Sequence, residues 1–168
     1  PVLIIGSHLD SVVNAGKYDG ILGVLLGIEL GNFLARHQID LPFHLDVVGF
    51  CDEEGVRFGA TLLGSQALAG KWQPEWTELT DERGVSLAEA MIEFGLDPLK
   101  AMDAKRDQES ILGFLEVHIE QGPLLEKRGL PVGVVTDIAG ARRFNFVVEG
   151  KAGHSGTVPM FMRNDALL

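Results

Sequence analysis

Short apolar runs alternating with segments of helical periodicity constrain this chain more than any other feature. Residues 2–6 form a β-branched and leucine run closed by Gly6 and Ser7, the pattern of a strand buried on both faces. From 20 to 37 the apolar residues Ile21, Val24, Leu25, Ile28, Leu30, Phe33 and Leu34 return at helical spacing, so a helix follows. Residues 43–50, after Pro42, read as a second strand, 111–118 as a third and 132–138 as a fourth. Helical stretches are expected between them at 60–69, 87–94 and 123–128, with Ser86 as an N-cap and Glu89 at its N3 position. Trp72 and Trp76 flank Pro74 in a loop, where they read as packing residues. The alternation predicts an α/β fold with a mainly parallel sheet and helices on both faces. After Gly140 the pattern changes, because 142–149 alternates polar and apolar as a half-solvated strand does. Residues 1–140 are therefore expected to form part of one domain and 141–168 the beginning of a second.

Charge and cysteine content narrow the function. With 24 acidic against 14 basic residues in 168, the formal net charge is -10, the wrong sign for a partner built of phosphates, so nucleic acid is not expected. No apolar run approaches the roughly 20 residues of a membrane span. A single cysteine, Cys51, permits no intrachain disulfide and fits a reducing cytosol. The chain opens on Pro1 and an apolar run, without an initiator Met or the basic flank of a signal peptide, and reads as cut inside a strand.

Ligands of such sheets bind beyond the carboxyl ends of the strands, and polar residues gather there in this sequence. His8 and Asp10 follow the first strand, Glu53 and Glu54 the second, and His118, Glu120 and Gln121 close the third, with Asp19 in the loop before the first helix. Imidazoles and carboxylates converging on one rim repel and desolvate badly unless a cation neutralises them. Mixed His and carboxylate donors suit Zn, Mn, Co or Ni better than Ca or Mg, and the spacing lets Asp10 orient the His8 ring. Taken singly, each has a plainer meaning: a lone histidine is usually a surface or core residue, and paired acids are usually a solvated turn. Coincidence at one rim puts a metal site level with those readings. No phosphate-binding glycine motif is present. The adjacent His154 and Ser155 read as part of a glycine-rich turn, and Arg142 and Arg143 as a solvated strand edge before a carboxylate fork.

The segments GSHLDSV, YDGILGV, DEEGVRF, LEVHIEQGP, GHSGTVPM and RNDAL, in that order from first residue to last, resemble the hydantoinase and carbamoylase group of the dinuclear metallopeptidases. That clan includes carboxypeptidase G and aminoacylase. Within it the motifs are similar to those of allantoate amidohydrolases, N-carbamoyl-L-amino-acid hydrolases and β-ureidopropionases. The resemblance implies a zinc-exopeptidase-like catalytic domain, then the start of a smaller α+β lid that forms a homodimer interface in the full-length protein. It implies two divalent metal ions, Mn or Zn first and Co or Ni next, held by His8, Asp19 as the bridge, Glu54 and His118. Glu53 would be the general base and Asp10 the partner that orients His8. Gln121 would line the substrate pocket, Arg143 would grip a substrate carboxylate, and His154 would reach a partner subunit's site to steady the developing oxyanion.

The implied substrate is a small ureido acid, and the pair in GARRF resembles the allantoate enzymes, although 86–98 and 129–135 are equally at home in carbamoylases. A noncatalytic binding domain of the same fold stays open as a different class, because a fold does not fix a function. The group's last metal ligand is a histidine near the end of the full catalytic domain, beyond Leu168, so the segment by itself is expected to be inactive.

Overall fold

The computed structural model describes residues 1–140, 142 and 144–167. Two compact units emerge, Pro1–Gly129 and Leu130–Leu168.

In the first unit, strands β1 (Val2–His8), β2 (His44–Phe50) and β3 (Ile111–Leu115) form a three-stranded parallel sheet in the order β2-β1-β3. The central strand is the apolar run at the start of the sequence, and Ile4 and Ile5 on its two faces are 2 % and 4 % exposed. A strand buried on both faces has no use for alternation, which explains the continuous apolar run. Helix α1 (Ile21–Arg36) packs on β1 and β2 through Val24, Gly23 and Gly27. A Cβ on Gly27 would lie 2.9 Å from Val47, and one on Gly23 would lie 2.8 Å from the Ser7 side chain, so glycine brings the helix close to the sheet. Val47 and Asp46 point to opposite faces. On the Asp46 side Arg106 closes an ion pair at 3.0 Å, and its backbone N–H is bonded to the Leu68 carbonyl at the end of α2 (Leu63–Leu68). Elements thus pack on both sides of the sheet at β1 and β2, while Leu112, Phe114 and Leu115 of β3 stay exposed.

A second cluster, Phe58, Leu63 and Leu87, is buried beyond β2 and is packed by Trp72, Trp76 and Met91. The two indoles meet edge to face at 5.3 Å, as packing residues do. Helix α3 (Leu87–Glu93) carries the expected capping box: Ser86 Oγ accepts from the Glu89 N–H at 3.2 Å, and Glu89 accepts from the Ser86 N–H at 2.8 Å. Ser86→Ala is expected to cost about 1 kcal/mol in denaturant unfolding; an unshifted midpoint would mean that Leu87 packing alone holds the helix. A short α4 (Leu124–Arg128) ends the unit.

Three differences from the expected elements have a common cause. β1 runs past Gly6 to His8 because it pairs with β2 along its whole length. β3 stops at Leu115, where its ladder with β1 ends at Ile5. Residues 132–138 contain no strand although their composition favours one, and none is formed by the described residues of 142–149. A strand exists only where a neighbour takes up its backbone groups, and periodicity reports a side-chain pattern without a partner. In the second unit an antiparallel bridge joins Lys151 and Asn164. Among the described residues no helix is long and apolar enough to cross a membrane.

Candidate metal centre

The carboxyl ends of β1 and β2 and the segment after β3 deliver the residues singled out in the sequence. His8 is the last residue of β1 and is 5 % exposed; Asp19, just ahead of α1, is 9 % exposed. The two histidine Nε2 atoms stand 3.2 Å apart, and Asp19 Oδ1 lies 3.3 Å from His118 Nε2 and 4.0 Å from His8 Nε2. His8, Asp19 and His118 each offer a ligand atom within 4.8 Å of the others, and so do His8, Glu53 and Glu54. His8 is common to both sets.

The hydrogen bonds behind the rings decide what the cluster can hold. His8 Nδ1 lies 2.7 Å from the Asp10 main-chain carbonyl, and His118 Nδ1 lies 2.8 Å from that of Ile119. A carbonyl only accepts, so both rings carry their proton on Nδ1, a tautomer assigned from these partners. In its neutral form each such ring directs the lone pair of Nε2 at the other, beside a carboxylate oxygen. Three acceptors turned inward with no donor among them call for a cation, and neutral imidazole held by an outer carbonyl is the form that binds one. The mixed nitrogen and oxygen set fits Zn, Mn, Co or Ni.

Asp10 steadies the ring through its main chain. Its carboxylate, 4.0 Å from His8 Nδ1, instead accepts the backbone N–H groups of Glu53 and Glu54, each at 3.0 Å. The backbone donors at 53–54 thus lie nearer to the Asp10 carboxylate than the His8 ring does. This contact ties the end of β1 to the acidic turn, which begins with Asp52 at φ 49°. Burial raises the proton affinity of Glu53 above the ordinary carboxylate range; nearby His8 opposes the rise, and Glu54, Asp10 and Glu116 add to it. A carboxyl of this kind beside the ligand cluster suits proton transfer.

Gln121 reaches the cluster directly. It sits at φ 56°, and its Nε2 donates to both oxygens of Asp19, at 3.1 and 3.2 Å. A non-glycine residue in this region is uncommon and marks a constrained position. His154 belongs to the second unit, where its Nδ1 accepts the Gly156 N–H at 3.1 Å and its side chain is exposed. Arg143 lies outside the described residues. Sequence reading passed over two side chains beside the cluster, Ser7 and Glu116; a serine inside an otherwise apolar buried strand was the available signal.

The model of peptidase family M20/M25/M40 matches residues 4–167. The chain belongs to that family. Among members of known name, the N-carbamoyl-L-amino acid amidohydrolase of Geobacillus stearothermophilus is 46 % identical over 166 residues, which are 99 % of this chain and 41 % of that protein. Allantoate deiminase of Arabidopsis thaliana is 47 % identical over 172 residues, covering 98 % of this chain and 32 % of that protein. The M20-type fold is shared with a crystal structure of a hydantoinase/carbamoylase family amidase from Burkholderia ambifaria, at a TM-score of 0.70 and 30 % identity, over 98 % of this chain and 39 % of that one. The chain thus spans less than half the length of these relatives.

Proposed function

We propose that the protein carrying this chain is a metal-dependent amidohydrolase that cleaves the C–N bond of a ureido acid. The inward-facing His8, His118 and Asp19 donors carry this reading, and the names of the two relatives support the bond type. Allantoate is the proposed substrate. The Arg142–Arg143 pair favours it, with the second arginine as carboxylate grip, while the 46 % identical amidohydrolase supports an N-carbamoyl-L-amino acid as the second reading.

His8, His118, Asp19 and Glu54 would hold the two divalent cations. Such ions, when bound, polarise a carbonyl and bring the pKa of water toward neutrality, which a poorly electrophilic ureido group needs. Glu53 takes the proton of the attacking water and passes it to the leaving nitrogen. Gln121 keeps Asp19 in register and faces the substrate. In a homodimer, His154 from the partner subunit supplies charge stabilisation that grows toward the transition state. One ureido group and one water yield a free amine, ammonia and carbon dioxide. The single cysteine supports a cytoplasmic setting.

The test is metal content and ammonia release by the full-length protein, with allantoate and with an N-carbamoyl-L-amino acid, before and after chelation. Chelator-sensitive release from allantoate, restored by Mn or Zn, is expected. Release only from the carbamoyl compound moves the substrate. Ligand binding indifferent to chelator, without release from either compound, overturns the hydrolase and leaves a binding domain.

A further inference from the structure

The backbone ladder between β1 and β3 ends at Ile5 and Leu115, before either strand reaches its histidine. Among the described residues no backbone hydrogen bond joins 6–8 to 116–118. Yet His8 and His118, one beyond each strand's last shared rung, hold their Nε2 atoms 3.2 Å apart. The ladder does not reach either histidine, so contacts beyond it must set their separation.

One side-chain bond bridges the gap. Ser7 Oγ donates to Glu116 Oε1 at 2.5 Å, and Ser7 is fully buried. Its hydroxyl cannot turn to water, so losing the acceptor would leave a buried donor unpaired. Ser7 immediately precedes His8, and only Val117 separates Glu116 from His118. The site is tight around the bond: a Cβ on Gly23 would lie 2.3 Å from the Val117 carbonyl and 2.8 Å from Ser7 Cβ. Helix α1 thus packs against Ser7 and the Val117 carbonyl, while Glu116 reaches Ser7 from an exposed position.

We propose that Ser7 and Glu116 are a positioning pair: their hydrogen bond replaces the missing ladder rungs and sets the His8–His118 separation that a divalent cation requires. The proposal rests on the metal-dependent reading above, and neither residue is a ligand in it. The hydrogen bond does the work, so an uncharged acceptor of the same shape should serve.

The experiment is Co(II) titration of the metal-free full-length protein, reading both affinity and the visible absorption bands, with circular dichroism as the check on folding. Glu116→Ala and Ser7→Ala are expected to weaken Co(II) binding by about 10–100-fold, the usual effect of losing a partner behind the ligands, and to shift the bands. Glu116→Gln keeps a carbonyl acceptor for Ser7 and is expected to restore both affinity and spectrum. The double Ala variant should lose no more than either single one, because both remove the same bond. Folded Ala variants that bind Co(II) like the unsubstituted protein would overturn the pair, as would Glu116→Gln binding as weakly as Glu116→Ala. If the unsubstituted protein takes up no Co(II), the metal reading itself fails, a result distinct from either.

Discussion

Glu53→Gln is expected to reduce kcat of the full-length protein by about 10²–10⁴-fold, the contribution of a positioned general base, while bound metal stays unchanged. The separation of the two effects follows from the contacts. Glu53 is fastened to the site by its backbone N–H on Asp10, and an amide side chain leaves that bond intact. The other N–H on Asp10 belongs to Glu54, so the proposed ligand next door keeps its place as well. What the substitution removes is the carboxylate's ability to accept a proton, in a position where burial already raises its proton affinity. Steady-state turnover alongside metal analysis checks this. Unchanged turnover would assign the base elsewhere, and loss of metal would make Glu53 a ligand, in keeping with its place beside His8 and Glu54.

How far the site could be read in the sequence depends on the range of the interaction concerned. The α1 pattern and the Ser86–Glu89 box involve neighbours a turn apart, and both appear in the structure where the residues put them. The gathering of His8, Asp19, Glu53, Glu54 and His118 was legible for a topological reason: parallel strands bring their carboxyl ends to one edge. The details that decide the chemistry were not legible. The ring tautomers depend on the carbonyls of Asp10 and Ile119, main-chain groups that every residue possesses. The Asp10 carboxylate had two candidate partners, and only the folded position of the 53–54 backbone selects one. The contacts of Gln121 with Asp19 and of Ser7 with Glu116 join residues distant in sequence that carry no local signal of each other. Residues 132–138 show the opposite error, a strong local pattern without a partner to pair it.

Gly20→Ala is expected to destroy metal binding from outside the ligand set. Gly20 precedes α1 with φ 72° and ψ -57°, and the Ile21 N–H is bonded to the Asp19 carbonyl across it at 2.9 Å. This is a γ-turn of the rare positive-φ form, and it aims Asp19 into the cluster while starting the helix. Alanine would face two separate penalties there. The backbone conformation itself costs about 1–3 kcal/mol for a residue with a Cβ. The Cβ would also fall 2.4 Å from His8 Nδ1 and Cε1 and 2.6 Å from the His8 carbonyl, well inside contact distance. The backbone cost can be met by a modest loss of stability, but the clash can be relieved only by moving the His8 ring or opening the turn that carries Asp19. Either movement displaces a ligand, so affinity should fall beyond the about 10–100-fold that loss of an outer partner produces. Metal titration together with thermal unfolding separates the two penalties. A variant with lower stability and undiminished metal affinity would show that the His8 ring yields freely, and that Gly20 serves the turn alone.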